Sequence, residues 1–251
     1  MIPFMDLKRQ ADRLTAEILP RITEVISKTA FSGGPFVEAF EKEFATYLGV
    51  PYVAGVSNGT AALHLAFRAL DIGPGDEVLV PTNSFIASAW GPSHAGPTPV
   101  FVDCDPLTWN ISLDDAERRL SPRTRAILPV HLYGSPCNMD AVLAFAARHK
   151  LRVVEDCAQA HGATWKGKTV GSFGDLSCFS FYPGKNLGAF GEAGAVATRD
   201  PDLLKRVQAL RNHGGLNKYE HDELGFNFRM DGIQGAVLSA KLKHLPQWTA
   251  R

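Results

Sequence analysis

The chain has 251 residues, 45% of them hydrophobic and 21% charged, which is enough apolar material for one large domain or two ordinary ones. Its 26 basic and 26 acidic residues give a formal net charge of zero, so no overall field would attract nucleic acid or an anionic membrane. No apolar run reaches the length of a membrane span, and the first residues, MIPFMDLKRQ, lack the apolar segment of a signal peptide. We therefore expect a cytoplasmic protein without nucleic-acid or membrane partners, whose four widely spaced cysteines stay reduced.

The chain begins with two helical patterns. Residues 1–30 are typical of an N-terminal arm and a helix, in which apolar residues recur every fourth position at Leu14, Ile18, Ile22 and Ile26. The next segment, FSGGPFVEAFEKEFATYLG, puts three phenylalanines and Leu48 on one face of a second helix.

Short apolar runs then alternate with helix-like segments. The runs EVLVP, TPVFVD, RAILPV and LRVVED are separated by segments such as TAALHLAFRAL and NMDAVLAFAARH. Continuous apolar runs of this length suit strands buried on both faces, which are typical of parallel sheets covered by helices. A capped helix follows in DPDLLKRVQALR, with Asp200 as N-cap and Pro201 at its first position. The pattern predicts an α/β fold whose mostly parallel mixed sheet is sandwiched by helices.

Ligands of such sheets lie beyond the carboxyl ends of the strands, and the segment SNGT (57–60) follows the short strand YVAGV there. Its glycine and the free N–H groups of the helix that it opens could hold a phosphate. Alternatively, Ser57 or Asn58 could serve only as an N-cap.

Asp156 follows the apolar run LRVVE in the segment EDCAQAHGA. A carboxylate at this strand end could pair with a ring N–H⁺ while the amide of Gln159 binds a ring oxygen. An aspartate in this position could also be a turn or cap residue. A metal site with His161 is a weaker interpretation, because no second histidine or cysteine lies at ligand spacing.

The segment FSFYPGKNLGAFGEAGAV (179–196) sets one lysine, Lys185, in glycine-rich and apolar surroundings. It is not a Walker A loop, since position 179 is phenylalanine and Asn186 replaces the serine or threonine, and GAFGEAG is not GxGxxG. Lys185 is either a solvated surface charge or a desolvated amine whose lowered pKa makes it a nucleophile.

Together, a phosphate cradle, a carboxylate for a ring nitrogen and a desolvated lysine meet the needs of pyridoxal phosphate (PLP). The cofactor has a phosphate, a pyridine nitrogen that stays protonated to act as an electron sink, and an aldehyde that condenses with lysine. The order of the three segments matches the large domain of the aspartate-aminotransferase-like fold, which is fold type I of the PLP enzymes.

The sequence resembles the DegT/DnrJ/EryC1/StrS family of PLP-dependent sugar aminotransferases over nearly its whole length. The resemblance is carried by SGGPFVEAFEKEFATYLGV, SNGTAALHLA, DEVLVPTNSFIAS, VVEDCAQAHGA, FSFYPGKNLGAFGEAGAV and GFNFRMDGIQGAVL. We expect residues 1–251 to form the PLP-binding large domain. We expect the family's small C-terminal domain, which closes over the substrate, to be missing from this chain.

The resemblance implies a role for each matching residue around the cofactor ring. Lys185 would form the internal aldimine and later shuttle the proton between cofactor and substrate carbons. Asp156 would pair with the pyridine nitrogen, and Gln159 would approach the ring hydroxyl. Phe85, in TNSFIAS, would stack on the ring face, although core packing is its other interpretation.

The resemblance also implies how the cofactor phosphate is held. Gly59, Thr60 and Ser180 would bind it within one subunit. Asn227, in GFNFRM, is similar to a family asparagine that reaches the phosphate of the partner subunit, so a homodimer would share its active sites. The other interpretation of Asn227 is a turn residue.

The implied reaction moves an amino group from glutamate or glutamine, through the pyridoxamine form of the cofactor, to a keto group of a nucleotide-linked sugar, commonly a keto-deoxyhexose. Lysine at position 185 favours this reaction over that of related sugar dehydratases, in which histidine replaces it. A PLP-binding but non-catalytic protein, either truncated or regulatory, is the other alternative. The expected partners are the nucleotide-sugar, the amino-acid donor and a second copy of the chain.

Overall fold

The structure is a computed structural model that describes residues 5–217 and 219–250. In chain order, its helices and strands are α1 (Leu7–Ser27), α2 (Pro35–Leu48), β1 (Tyr52–Val56), α3 (Gly59–Ala69), β2 (Glu77–Pro81), α4 (Ala87–Ala95), β3 (Thr98–Val102), α5 (Leu113–Arg119), β4 (Thr124–Ile127), α6 (Met139–His149), β5 (Arg152–Asp156), β6 (Thr164–Trp165), β7 (Lys168–Thr169), β8 (Leu176–Ser180), β9 (Gly194–Thr198), α7 (Pro201–Arg211), α8 (Gly232–Leu242) and α9 (Leu245–Thr249). None of the described helices is long and apolar enough to cross a membrane.

Seven strands form one mixed sheet in the order β1-β9-β8-β5-β4-β2-β3. Four strand pairs, β2–β3, β2–β4, β4–β5 and β5–β8, are parallel, whereas β9 runs antiparallel to both of its neighbours. The short strands β6 and β7 form a separate antiparallel ribbon. The predicted mostly parallel mixed sheet is confirmed, and each of the four apolar runs overlaps one of its parallel strands.

Helices cover both faces of the sheet. In β9, Ala195 and Ala197 pack in one apolar cluster with residues of α2 and α8, whereas Val196 between them packs in another cluster with residues of α3 and α7. A third cluster joins β2, β4 and β5 to α5 and α6. Because successive side chains of a strand point to opposite faces, this alternation is what a sheet between two helical layers requires.

The N-terminal helix packs less completely than its sequence pattern suggests. Leu14 and Ile18 of α1 are buried against Val237 and Ala240 of α8, but Ile26 is 54% exposed. Residues four apart in an α-helix are rotated by about 40° with each step, so such a row turns away from its partner within three steps. The first four residues of the predicted arm lie outside the described residues.

Helix ends follow the local chemistry of the sequence. The side chain of Asp200 accepts hydrogen bonds from the N–H groups of Asp202 and Leu203, which confirms it as the N-cap of α7. Helix α2 begins at Pro35 and ends at Leu48, and its C-cap, Gly49, has the left-handed φ of 70° that glycine tolerates best. All four cysteines are free, as predicted, and three of them are buried.

Candidate active site

The strand that leads to the lysine is fixed by aromatic packing. Phe179 and Phe181 are fully buried and meet the ring of Phe44 edge-on, with centroids 5.0 and 5.3 Å away. Ser180 lies between them at the end of β8, so the alternation of the strand directs its side chain away from this apolar cluster. The packing of Phe179 and Phe181 thereby orients the side chain of Ser180.

Lys185 lies in the loop that follows β8. Its N–H donates to the carbonyl oxygen of Tyr182 at 2.8 Å, and its side chain is half-buried. Burial lowers the pKa of the Lys185 amine, while the charge of Asp156 opposes that shift. Burial therefore desolvates this amine in part, as the interpretation of Lys185 as a nucleophile requires, while its bond to a cofactor stays a prediction.

The loop after Lys185 is held from two sides. The ring Nδ1 of His161 lies 3.1 Å from Oδ1 of Asn186, whose amide donates back to the His161 carbonyl oxygen at 3.2 Å. The ammonium of Lys241, on α8, donates to the carbonyl oxygen of Gly188 at 2.6 Å. Burial lowers the pKa of His161 to about 4, so its ring is neutral and serves this pairing.

Asp156 ends β5 at the carboxyl edge of the sheet and is 5% exposed. Its Oδ2 accepts a hydrogen bond from the hydroxyl of Ser88 at 2.8 Å, and its Oδ1 accepts one from the N–H of Ala158 at 3.1 Å. Burial raises the pKa of Asp156, against the hydrogen bonds and the charge of Lys185, which lower it. A nearby cation would favour the ionised form further.

Gln159 lies on the turn after Asp156. Its Oε1 accepts a hydrogen bond from the N–H of Tyr133 at 2.8 Å, which leaves the amide nitrogen as the donating end of the side chain. Tyr133 has the left-handed φ of 55° and an exposed ring. This orientation is compatible with the prediction that the Gln159 amide binds a ring oxygen, which stays a prediction.

The predicted phosphate cradle is formed by two distant parts of the chain. Asn58 caps α3 by accepting the N–H of Ala61 at 2.8 Å, so the N-cap interpretation of this turn is correct for Asn58. A Cβ placed on Gly59 would lie 2.7 Å from the Cβ of Ser180, so only glycine lets the two segments approach so closely. The first N–H groups of a helix have no partner within it, and those of Gly59 and Thr60 open α3 beside Ser180.

Phe85 and Asn227, the two remaining predicted site residues, have exposed side chains. Phe85 is 66% exposed, so its interpretation as a core residue is wrong, while ring stacking stays a prediction. Asn227 forms a β-bridge with Asn212, and the next residue, Phe228, accepts the N–H of Ser57 at 2.8 Å. The segment of Asn227 therefore runs beside the turn that opens α3, and its contact with a partner subunit stays a prediction.

A buried polar network, which was not predicted from the sequence, lies beneath Asp156. Glu155 is fully buried, and its carboxylate accepts the N–H groups of residues 171, 173 and 174 at 2.8–2.9 Å. His131 Nε2 lies 3.1 Å from the same carboxylate, and His131 Nδ1 accepts the N–H of Cys137 at 3.0 Å. Burial would raise the pKa of Glu155, but these donors hold it below its ordinary value. The signal in the sequence was Glu155 itself, a charged residue inside the apolar run LRVVED.

This network also contains a potential metal-ligand set. Atoms of His131, Glu155 and Cys157 lie within 4.8 Å of one another, and all three residues are buried. However, both ring nitrogens of His131 and both carboxylate oxygens of Glu155 already have hydrogen-bond partners. The geometry therefore describes a brace for the strand that carries Asp156 rather than a site that awaits an ion.

Comparison with known proteins identifies the family of the chain. Residues 12–251 match the model of the DegT/DnrJ/EryC1/StrS aminotransferase family. The chain therefore belongs to this family, and its fold is that of the PLP fold type I enzymes.

Three relatives illustrate the similarity. A protein of Streptomyces venezuelae named dTDP-3-amino-3,4,6-trideoxy-alpha-D-glucose transaminase is 48% identical over all of this chain and 66% of its own length. The crystal structure of S. venezuelae DesV in complex with a ketimine intermediate superposes with a TM-score of 0.97 at 47% identity, over 100% of this chain and 67% of that one. The structure of NtdA from Bacillus subtilis with bound cofactor PMP has a TM-score of 0.93 at 38% identity, over 98% and 57%. This chain thus spans 57–67% of the length of these relatives.

Proposed function

We propose that this protein is a PLP-dependent aminotransferase that moves an amino group from glutamate or glutamine to the keto group of a nucleotide-linked sugar, such as a keto-deoxyhexose. The observation that carries the proposal is that a half-buried lysine, Lys185, and a buried aspartate at the edge of the sheet, Asp156, lie close enough for each charge to shift the pKa of the other. The relative named as a dTDP-sugar transaminase supports the substrate class, and the PMP-bound relative supports the cofactor.

The residues present fit PLP. The close approach of Gly59 to Ser180 leaves helix N–H groups and a hydroxyl for a phosphate, and the donating amide of Gln159 suits a ring oxygen. Asp156 would pair with the pyridine nitrogen, which relieves the burial of its charge. When bound, the cofactor supplies an electron sink for the carbon that loses a proton.

The remaining chemistry belongs to side chains of the chain. The Lys185 amine, whose pKa is lowered by burial, would hold the cofactor aldehyde and afterwards accept and return a proton at its Nζ atom. The carboxylate of Asp156 would keep the pyridine nitrogen protonated. The exposed ring of Phe85 would cover one face of the cofactor, and Asn227 of the partner subunit would complete the phosphate site in a homodimer.

The proposal is tested by trapping the cofactor on the chain. The protein is incubated with PLP, reduced with borohydride and digested, and the modified peptide is identified by mass spectrometry. We expect a new visible absorbance band before reduction and one adduct on Lys185, and none in K185A. Lys241 is the internal control because it is a second buried lysine of lowered pKa. An adduct on Lys241, or none on Lys185, would overturn the proposal.

A second experiment separates the aminotransferase from a PLP-binding protein without activity. Glutamate and glutamine are added to the PLP-loaded protein, and the pyridoxamine form is followed by its absorbance. Keto nucleotide-sugars are then screened for their ability to restore the starting spectrum. A stable Lys185 adduct without either conversion would favour the non-catalytic alternative.

A further inference from the structure

Two serines form a hydrogen-bonded chain that ends on Asp156. The hydroxyl of Ser88 donates to Asp156 Oδ2 at 2.8 Å, and the hydroxyl oxygen of Ser84 lies 2.6 Å from that of Ser88. Ser88 is 1% exposed and Asp156 is 5% exposed, so water does not compete for the bond between them. Neither serine was predicted from the sequence to have a role.

The chemistry of the groups fixes the direction of this chain. An ionised carboxylate only accepts hydrogen bonds, and a serine hydroxyl has one proton to donate. When Asp156 is ionised, the proton of Ser88 is used on Oδ2, so Ser84 has to donate to Ser88. Both hydrogen bonds then point toward the carboxylate. The hydrogen bond from Ser84 polarises the Ser88 hydroxyl and so strengthens the hydrogen bond from Ser88 to Asp156.

The backbone places both serines for this purpose. Ser88 lies in the first turn of α4, and its N–H donates to the carbonyl oxygen of Phe85 at 3.0 Å. Ser84 lies just before that turn, where its N–H donates to the carbonyl oxygen of Thr82 at 3.2 Å. Ser93 on the same helix instead donates to the carbonyl oxygen of Ala89, one turn back, at 2.8 Å.

We propose that Ser88 is a positioning residue of the active site, and that Ser84 acts through it to keep Asp156 ionised and aimed at the cofactor ring. This inference rests on the proposed function, because it assigns the pyridine nitrogen of PLP as the partner of Asp156. The same short segment, TNSFIAS, would then bring Phe85 to the ring face and the two serines to the carboxylate behind it.

Other groups also act on Asp156. Lys185 and His131 lower its pKa, and the N–H of Ala158 does the same through Oδ1, while burial raises it. Glu155, Cys157 and Cys178 are its other ionisable neighbours, from β5, the turn after it and β8. Substituting a serine leaves all of these groups in place, so their effect on the pKa of Asp156 is the same in every variant.

The first test measures the titration of Asp156 in the full chain without cofactor. Aspartate is labelled with ¹³C at its carboxyl carbon, and D156N identifies the resonance. We expect S88A to raise the pKa of Asp156 by about one unit, since a hydrogen bond to a charged group contributes that much. S84A should cause a smaller shift in the same direction, and S88T should restore the wild-type value. S93A, the matched control on the same helix, should leave it unchanged.

The second test uses PLP labelled with ¹⁵N in its ring. In S88A the pyridine resonance should move toward the position of an unprotonated ring, because the carboxylate becomes the stronger base. An unchanged Asp156 pKa and pyridine resonance in S88A, or equal shifts in S93A, would overturn the inference. If the wild-type chain forms no Lys185 adduct, the proposed function fails, but the titration still decides whether the serines act on Asp156.

Discussion

The close approach of Gly59 to Ser180 allows a sharp test of the cradle. The Cβ of an alanine at position 59 would lie 2.7 Å from the Cβ and 3.2 Å from the Cα of Ser180, so backbone has to move. Forcing extra volume into such a contact costs about 1–3 kcal/mol. Replacing glycine by alanine also stabilises the fold by about 0.4–1 kcal/mol, because the unfolded chain loses freedom.

Gly73 provides the matched control. The nearest atom to a Cβ at this position is the Ala95 carbonyl oxygen at 3.9 Å, which is an ordinary contact. We therefore expect G73A to raise the free energy of unfolding by about 0.4–1 kcal/mol. G59A should lower it by as much as about 2.5 kcal/mol, so the two variants should differ by about 1–3 kcal/mol.

The assay is urea unfolding of both variants without cofactor, followed by titration with PLP. G59A should also bind PLP more weakly than the wild type, whereas G73A should bind it equally well. Equal stability of the two variants would refute the packing argument. Unchanged PLP affinity in a destabilised G59A would show that the cradle does not hold the phosphate.

Two further predictions concern buried charges outside the cofactor site. E155Q should lower the free energy of unfolding by about 3 kcal/mol, because an amide cannot accept all the N–H groups that the carboxylate accepts. E192Q, at an exposed position, should not lower the free energy of unfolding. Urea unfolding measures both variants. Burial lowers the pKa of Lys241 from 10.5 to about 8. Below pH 8 the buried charge therefore destabilises the folded chain, and this destabilisation disappears as the pH rises toward 10.5. The stability of the wild type relative to K241M should therefore rise between these pH values, as urea unfolding at each pH would measure. A difference from K241M that does not vary with pH would contradict this prediction.

Much of this fold could be predicted because its signals are local. Apolar runs of five residues, capping side chains and a proline or glycine at a helix end act within a few positions of themselves, so β5, α7 and the end of α2 lie where the sequence puts them. Asp156 could be identified for the same reason, since a polar residue that follows an apolar run marks a strand end.

The remaining features depend on contacts between distant segments. The insertion of antiparallel β9 between β1 and β8 is decided by pairing across the whole sheet. Ser88 and Asp156 are 68 positions apart, and no periodicity relates them. Whether Phe85 is buried or exposed likewise depends on which distant segments pack over the edge of the sheet. The sequence alone therefore left core packing as a possible interpretation of Phe85.

The distance in sequence between the two halves of the phosphate cradle also affects folding kinetics. Gly59 and Ser180 are brought together by β9, which pairs with both β1 and β8, so we expect the cradle to form late, once a long loop has closed. An anion that binds only the completed cradle makes interactions that an early folding transition state lacks. Such a ligand slows unfolding and leaves the folding rate unchanged, so occupancy of this site would lengthen the lifetime of the folded chain.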